Sequence, residues 1–176
     1  MAILKVCRMG HPVLRQEAAP VEEEAIGSQD VQRLIADMVD TMREYHGVGL
    51  AAPQVHVSLQ IAVIGAPDDR EDDDDPGSEA RVLVNPEIRP IGRRKAADWE
   101  GCLSIPDIRG RVPRWERISV RALGADGKPL SLEAEGFPAR VIQHEVDHLN
   151  GVLFLDRMRN LEPLSFVEEY VRYWQE

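Results

Sequence analysis

The sequence predicts an α+β domain: antiparallel strands packed around a central H-E-x-x-H helix, with a leading amphipathic helix and a short C-terminal helix. Three observations lead there. Val31, Leu34, Ile35, Met38, Val39 and Met42 recur at 3.6-residue spacing, the mark of a helix with one buried face. Arg117 to Leu123 alternates, and Asp126-Gly127 turns it back into Leu130 to Ala134, as in an antiparallel hairpin. Pro138 to about Leu149 has Gly136-Phe137-Pro138 at its entry and Asn150-Gly151 at its exit. Proline in the first turn and glycine just past the last one read as one short helix.

A chain of 176 residues suits one domain, 1–176, with one substantial core. The net charge of −10 argues against a phosphate-binding surface, so no direct nucleic-acid partner is expected. Cys7 and Cys102 are too few for a disulfide framework. They fit a reducing cytosol, where an isolated cysteine is a ligand, a nucleophile or core filler. No apolar run approaches a membrane span, and the N-terminus lacks a signal-peptide h-region. The expected location is cytoplasmic, away from membranes.

Residues 1–27 read as irregular, with turns at Gly10-His11-Pro12 and Ala19-Pro20; His11 is a loop residue without a role. Ser28 or Asp30 caps the amphipathic helix, which runs to about Tyr45 and ends at Gly47. Gly47 to Gln54 follows, rich in glycine and alanine. It fits backbone passing close to a ligand, and equally a helix stop followed by a tight loop. No lysine follows at phosphate-loop spacing. Gln60 to Ile64 and Arg81 to Asn85 read as strands. Between them, Asp68 to Gly77 holds seven acids and one arginine, over half of the net charge. A calcium loop starting at Asp72 would need glutamate where Leu83 stands, so a solvated hairpin tip is expected. Trp99 and Glu100 lead into the Cys102 segment, and Ile105-Pro106 closes it. A last helical stretch from near Pro163 carries Phe166, Tyr170 and Trp174, a stripe expected to pack onto the body.

His144 and His148 are four apart on the predicted helix and share a face, so both imidazoles can reach one ion. Glu145 lies beside the first of them, placed to reach a water instead of the ion. A catalytic site needs a third protein ligand and an open position. A metzincin would put histidine where Phe154 stands, which cannot ligate. Glu168, twenty residues past His148, resembles the third ligand of thermolysin-like peptidases. Cys102, upstream in Glu100-Gly101-Cys102-Leu103-Ser104, is the remaining candidate.

Three segments in fixed order resemble one family, the peptide deformylases. They are G-x-G-x-A-A-x-Q at Gly47 to Gln54, E-G-C-x-S at Glu100 to Ser104, and H-E-x-D-H at His144 to His148. The likeness runs over nearly the whole chain and is far more specific than H-E-x-x-H alone. It implies removal of the N-formyl group from the initiator methionine, with N-formylmethionyl nascent peptides as partners. By the same likeness Cys102, His144 and His148 bind one divalent metal ion per chain. Fe2+ is the family's usual metal, with Zn2+, Ni2+ or Co2+ as alternatives. Glu145 is then the general acid/base, and Gln54 with the backbone N–H of Leu103 holds the oxyanion. Arg109 matches a position that sets substrate and cysteine-loop geometry.

A formyl group has hydrogen where a peptide acyl group has an α-carbon. A site lined tightly by Gly47, Val48 and Gly49 would admit the first and exclude the second. Phe137 and Val141 precede His144 by seven and three residues on the same helix face, and with Val48 are expected to line a methionine pocket. Two features depart from the family. Some bacterial members dock on the ribosome through a basic C-terminal helix. Here Leu161 to Glu176 holds four acids and one arginine, which disfavours ribosome contact by the electrostatic route. The acidic insert belongs to no motif.

Overall fold

The computed structural model describes residues 2–65 and 80–175; the acidic stretch at 68–77 lies outside the described residues. The N-terminal segment, expected to be irregular, holds a 3-10 turn at Pro12–Arg15 and one helical turn, α1 (Glu23–Ile26). Then come α2 (Gln29–Glu44), β1 (Gly49–Ala51), a 3-10 turn at Ala52–Val55, β2 (Ile61–Ile64) and β3 (Arg81–Pro90). β4 (Lys95–Cys102), β5 (Ile105–Trp115), β6 (Arg117–Leu123) and β7 (Pro129–Glu135) complete the main strands. The chain ends with α3 (Phe137–Leu149), α4 (Phe154–Arg157), β8 (Leu164–Phe166) and α5 (Val167–Tyr173). Two antiparallel sheets result, ordered β1-β2-β3-β6-β7 and β4-β5-β8. The class is α+β, as the sequence predicts.

Ser28 caps α2, its hydroxyl accepting from the Val31 N–H at 3.4 Å. Val31, Ile35, Met38 and Met42 are buried, and Leu34 and Val39 pack half-buried beside them. The stop differs from expectation by one residue. His46, not Gly47, takes the left-handed conformation, at φ 52°. Its N–H bonds to Arg43 O at 2.9 Å and that of Gly47 to Met42 O at 2.8 Å. That paired closure normally uses glycine at the left-handed position. Gly47 is small for another reason: a β-carbon there would stand 3.0 Å from Leu103 Cδ1.

The α3 helix is buried from Ala139 to Leu149 and touches both sheets. Val141, Ile142 and Val146 pack on Leu83, Ile118 and Val120, and Leu149 on Ala18, Ala51 and Ala62. Each such side chain contributes roughly 1.5–3 kcal/mol by leaving water, which is what holds a polar helix inside. Its stop is the expected one. Gly151 is left-handed, and a β-carbon there would stand 2.8 Å from the Arg15 carbonyl carbon.

The cysteine segment, assigned to no element from the sequence, is the tip of the β4–β5 hairpin, with Cys102 opposite Ile105. Pro106, Gly110 and Pro113 within β5 are poor strand formers and obscured it. The C-terminal aromatics do not form one buried stripe. Phe166 lies in β8, 65% exposed, and α5 buries no residue. Only Tyr170 and Trp174 stack on Trp99, at 5.1 and 5.7 Å. Among the described residues no helix is long and apolar enough to cross a membrane.

Candidate metal centre

The β4–β5 hairpin turns at Leu103-Ser104 and aims the Cys102 thiol at α3, where its Sγ lies 3.2 Å from His148 Nε2. One turn earlier on the same face stands His144. Ligand atoms of Cys102, His144 and His148 all lie within 4.8 Å of one another, and all three residues are buried. Glu168 is exposed on α5 and outside this group. Phe154, at the metzincin position, stacks on the His144 ring at 6.2 Å.

Burial opposes ionisation of Cys102. The facing charge of His148, with hydrogen bonds from both histidines, still holds its thiol well below the usual value. Burial likewise opposes charge on His144, but bonds to Cys102 and Glu100 carry its pKa well above normal. A buried thiolate balanced by imidazole protons is a donor set that a cation can occupy by displacing those protons. His148 Nδ1 has no hydrogen-bond partner.

Glu145 is 4% exposed, and its Oε2 is buried without a partner. Burial pushes its carboxyl up to about 6, against the lowering charges of His144 and His148. Gln54 follows β1 in the Ala52–Val55 turn. Its Oε1 accepts from the Ala51 N–H at 2.8 Å, which directs Nε2 to Ser104 Oγ at 3.2 Å and Cys102 Sγ at 3.6 Å. Leu103 is at the hairpin tip. Arg109 lies over Gly101 so closely that a β-carbon there would collide with its guanidinium.

The expected pocket residues differ in exposure. Val48 and Phe137 are 40% and 50% exposed, whereas Val141 is buried in the core. A hollow of about 640 Å³ lies elsewhere, between Lys95, Trp99, Arg111 and Trp174, and includes no residue of the thiol–imidazole group.

A charged network beneath the site was not anticipated. Glu100 Oε2 is 2.9 Å from His144 Nδ1. Arg114 grips both Glu100 oxygens, at 2.8 and 3.0 Å, and Arg140 adds a bond at 2.7 Å. Arg114 continues to Asp147, which Arg157 holds at 2.6 and 3.0 Å. A signal existed: Arg140 precedes His144 by four residues and so shares its face. Carboxylates on ligating imidazoles fix ring orientation and raise ligand basicity.

The family model described as polypeptide deformylase matches residues 3–164. Peptide deformylase 1 of Prochlorococcus marinus strain MIT 9313 is 43% identical over 171 residues, spanning 96% of this chain and 88% of the relative. Peptide deformylase of Chromohalobacter salexigens is 44% identical over 162 residues, 92% of this chain and 89% of the relative. Among solved structures, the Met-Ala-Ser-bound class I type b peptide deformylase of Acinetobacter baumannii matches with TM-score 0.80. It is 40% identical, over 89% of this chain and 99% of that one. A peptide deformylase of Legionella pneumophila matches with TM-score 0.80 at 42% identity, over 91% and 88%. Sequence motifs and these likenesses agree along nearly the whole length, and the chain belongs to the polypeptide deformylase family.

Proposed function

We propose that this protein removes the N-formyl group from the initiator methionine of newly made polypeptides, acting in the cytoplasm with residues 1–176 as one catalytic unit. The observation that carries the reading is Glu145, buried and with Oε2 unpartnered, beside the Cys102–His144–His148 group. Those three residues would hold one divalent ion, Fe2+ by family habit. When bound, such an ion acts as a Lewis acid and makes water a nucleophile near neutral pH.

Glu145 takes the proton of the attacking water and delivers it to the departing amine, a role suited to a carboxyl raised toward neutrality. As the formyl carbon becomes tetrahedral, its oxygen gathers charge. Gln54 Nε2, held by the Ala51 bond, and the Leu103 N–H are the donors we assign to it. Glu100 fixes the His144 ring, and Arg109 steadies the cysteine turn through Gly101. Supporting formyl selectivity, Gly49 leaves no room beside Glu145 even for a β-carbon. Val48 and Phe137 offer apolar surface for the methionine side chain.

The deciding experiment compares hydrolysis of formyl-Met-Ala-Ser and acetyl-Met-Ala-Ser by anaerobically purified protein with its metal content measured. Turnover of the formyl peptide alone, tracking bound metal, is expected. Equal cleavage of both, or turnover in metal-free protein, would refute the reading. Ferrous iron predicts aerobic loss of activity that nickel substitution prevents.

A further inference from the structure

Two of the five histidines stand in the group already described. Two others, His11 and His56, stand with Cys7 in a second group whose ligand atoms also lie within 4.8 Å of one another. Cys7 and His11 are four apart in one segment, but nothing in the sequence links them to His56. Backbone bonds bring them together: the Cys7 N–H donates to Gln54 O and the Met9 N–H to Ser104 O, each at 2.8 Å. The Cys7 thiol points to Pro53 O at 3.4 Å. The His11 and His56 rings meet edge to face, with centroids 4.7 Å apart. Cys7 is buried and both histidines are exposed, so one side stays open to water.

We propose that Cys7, His11 and His56 form a second metal site, taking a zinc-class divalent cation with water as fourth ligand. One thiolate and two imidazoles suit zinc or cobalt and not magnesium or calcium. His56 sits at φ 66°, a conformation glycine takes freely and a histidine takes only at a cost in strain. That conformation closes the Ala52–Val55 turn, the His56 N–H donating to Pro53 O at 3.2 Å, and it leaves the imidazole against His11. Burial pushes the Cys7 thiol up, and its bond to Pro53 O is lost with its proton; both oppose binding. His11 Nδ1 accepts from the Val13 N–H at 3.2 Å, capping the Pro12–Arg15 turn, and ligation through that nitrogen also gives this bond up. Losing a cap lowers affinity by about two- to thirtyfold, which three metal bonds outweigh. On binding, the Cys7 thiol passes its proton to solvent. The bound ion would clip residues 7–11 to the turn that carries Gln54, stiffening the N-terminal segment. The site is independent of the hydrolase reading.

Holoenzyme is dialysed against micromolar zinc, and total metal per chain, iron and zinc together, is measured with the unfolding temperature. The native sequence is expected to hold two ions and to melt higher once the second has entered. Cys7→Ser and His56→Gly should each hold one and lose that increment. His56→Gly relieves the strained backbone, so without added zinc it should melt no lower than the native sequence, which separates lost ligation from lost folding. With cobalt, the ion absent from Cys7→Ser should carry a thiolate charge-transfer band in the near ultraviolet. One ion in the native sequence, or two retained by either variant, would overturn the proposal.

Discussion

A β-carbon on Gly49 would stand 2.5 Å from Glu145 Oε1 and 2.8 Å from its carboxyl carbon. Strand β1 and the carboxylate are therefore in direct packing contact. Gly49 has an ordinary backbone conformation, so alanine is tolerated there except by Glu145. Gly49→Ala should displace the carboxylate, leave metal content unchanged and lower turnover of formyl-Met peptides. Misplacing a reacting group by about 1 Å costs around 10²-fold. Metal analysis beside steady-state kinetics checks this, and unchanged turnover would remove Glu145 from its assigned role.

Glu145→Gln keeps the side chain's shape and removes its basicity. Near-stoichiometric metal should remain while turnover falls by about 10²–10⁴. Gln54→Ala should also keep metal and lose about 10²–10³ through the missing oxyanion donor. A metal-free Glu145→Gln protein would make this residue a ligand instead of the base.

The third ligand is tested by a pair of variants. Cys102→Ala leaves two imidazoles, which hold a divalent ion weakly, so metal and activity should fall together. Glu168→Ala, on exposed α5, should change neither. Metal lost from the second variant and kept by the first would favour the thermolysin-like arrangement.

Glu100 governs acid stability. Burial raises its pKa, but bonds from His144 and Arg114 outweigh this and bring it from 4.5 down to about 2. Because the folded value is the lower one, the stabilisation is complete above about pH 4.5 and is lost as pH falls through about 2. The shift corresponds to on the order of 3 kcal/mol. Denaturant unfolding of metal-stripped protein should show this decline, and Glu100→Gln should flatten it. Glu100→Ala leaves Arg140 buried without a carboxylate and Arg114 with Asp147 alone, and should cost about 3–5 kcal/mol at neutral pH.

Local chemistry determined much of this protein before folding. Helix α2 and its Ser28 cap, the hairpin at Asp126-Gly127 and the α3 helix from its proline to Gly151 rest on short-range preferences and period. The pairing of His144 with His148 needs only the helical repeat. The β4–β5 hairpin was hidden because its strands carry proline and glycine and gain stability from pairing, a non-local term. The third ligand was open for the same reason. Spacing could not separate Cys102 from Glu168, and only the hairpin's approach to α3 puts a thiol 3.2 Å from His148. The arginines that neutralise Glu100 and Asp147 were equally out of reach, since burying a charge is decided by which partner the fold brings to it. Cys7, His11 and His56 are the extreme case: His11 follows Cys7 by four residues, but His56 lies far along the chain and reaches them through tertiary backbone bonds.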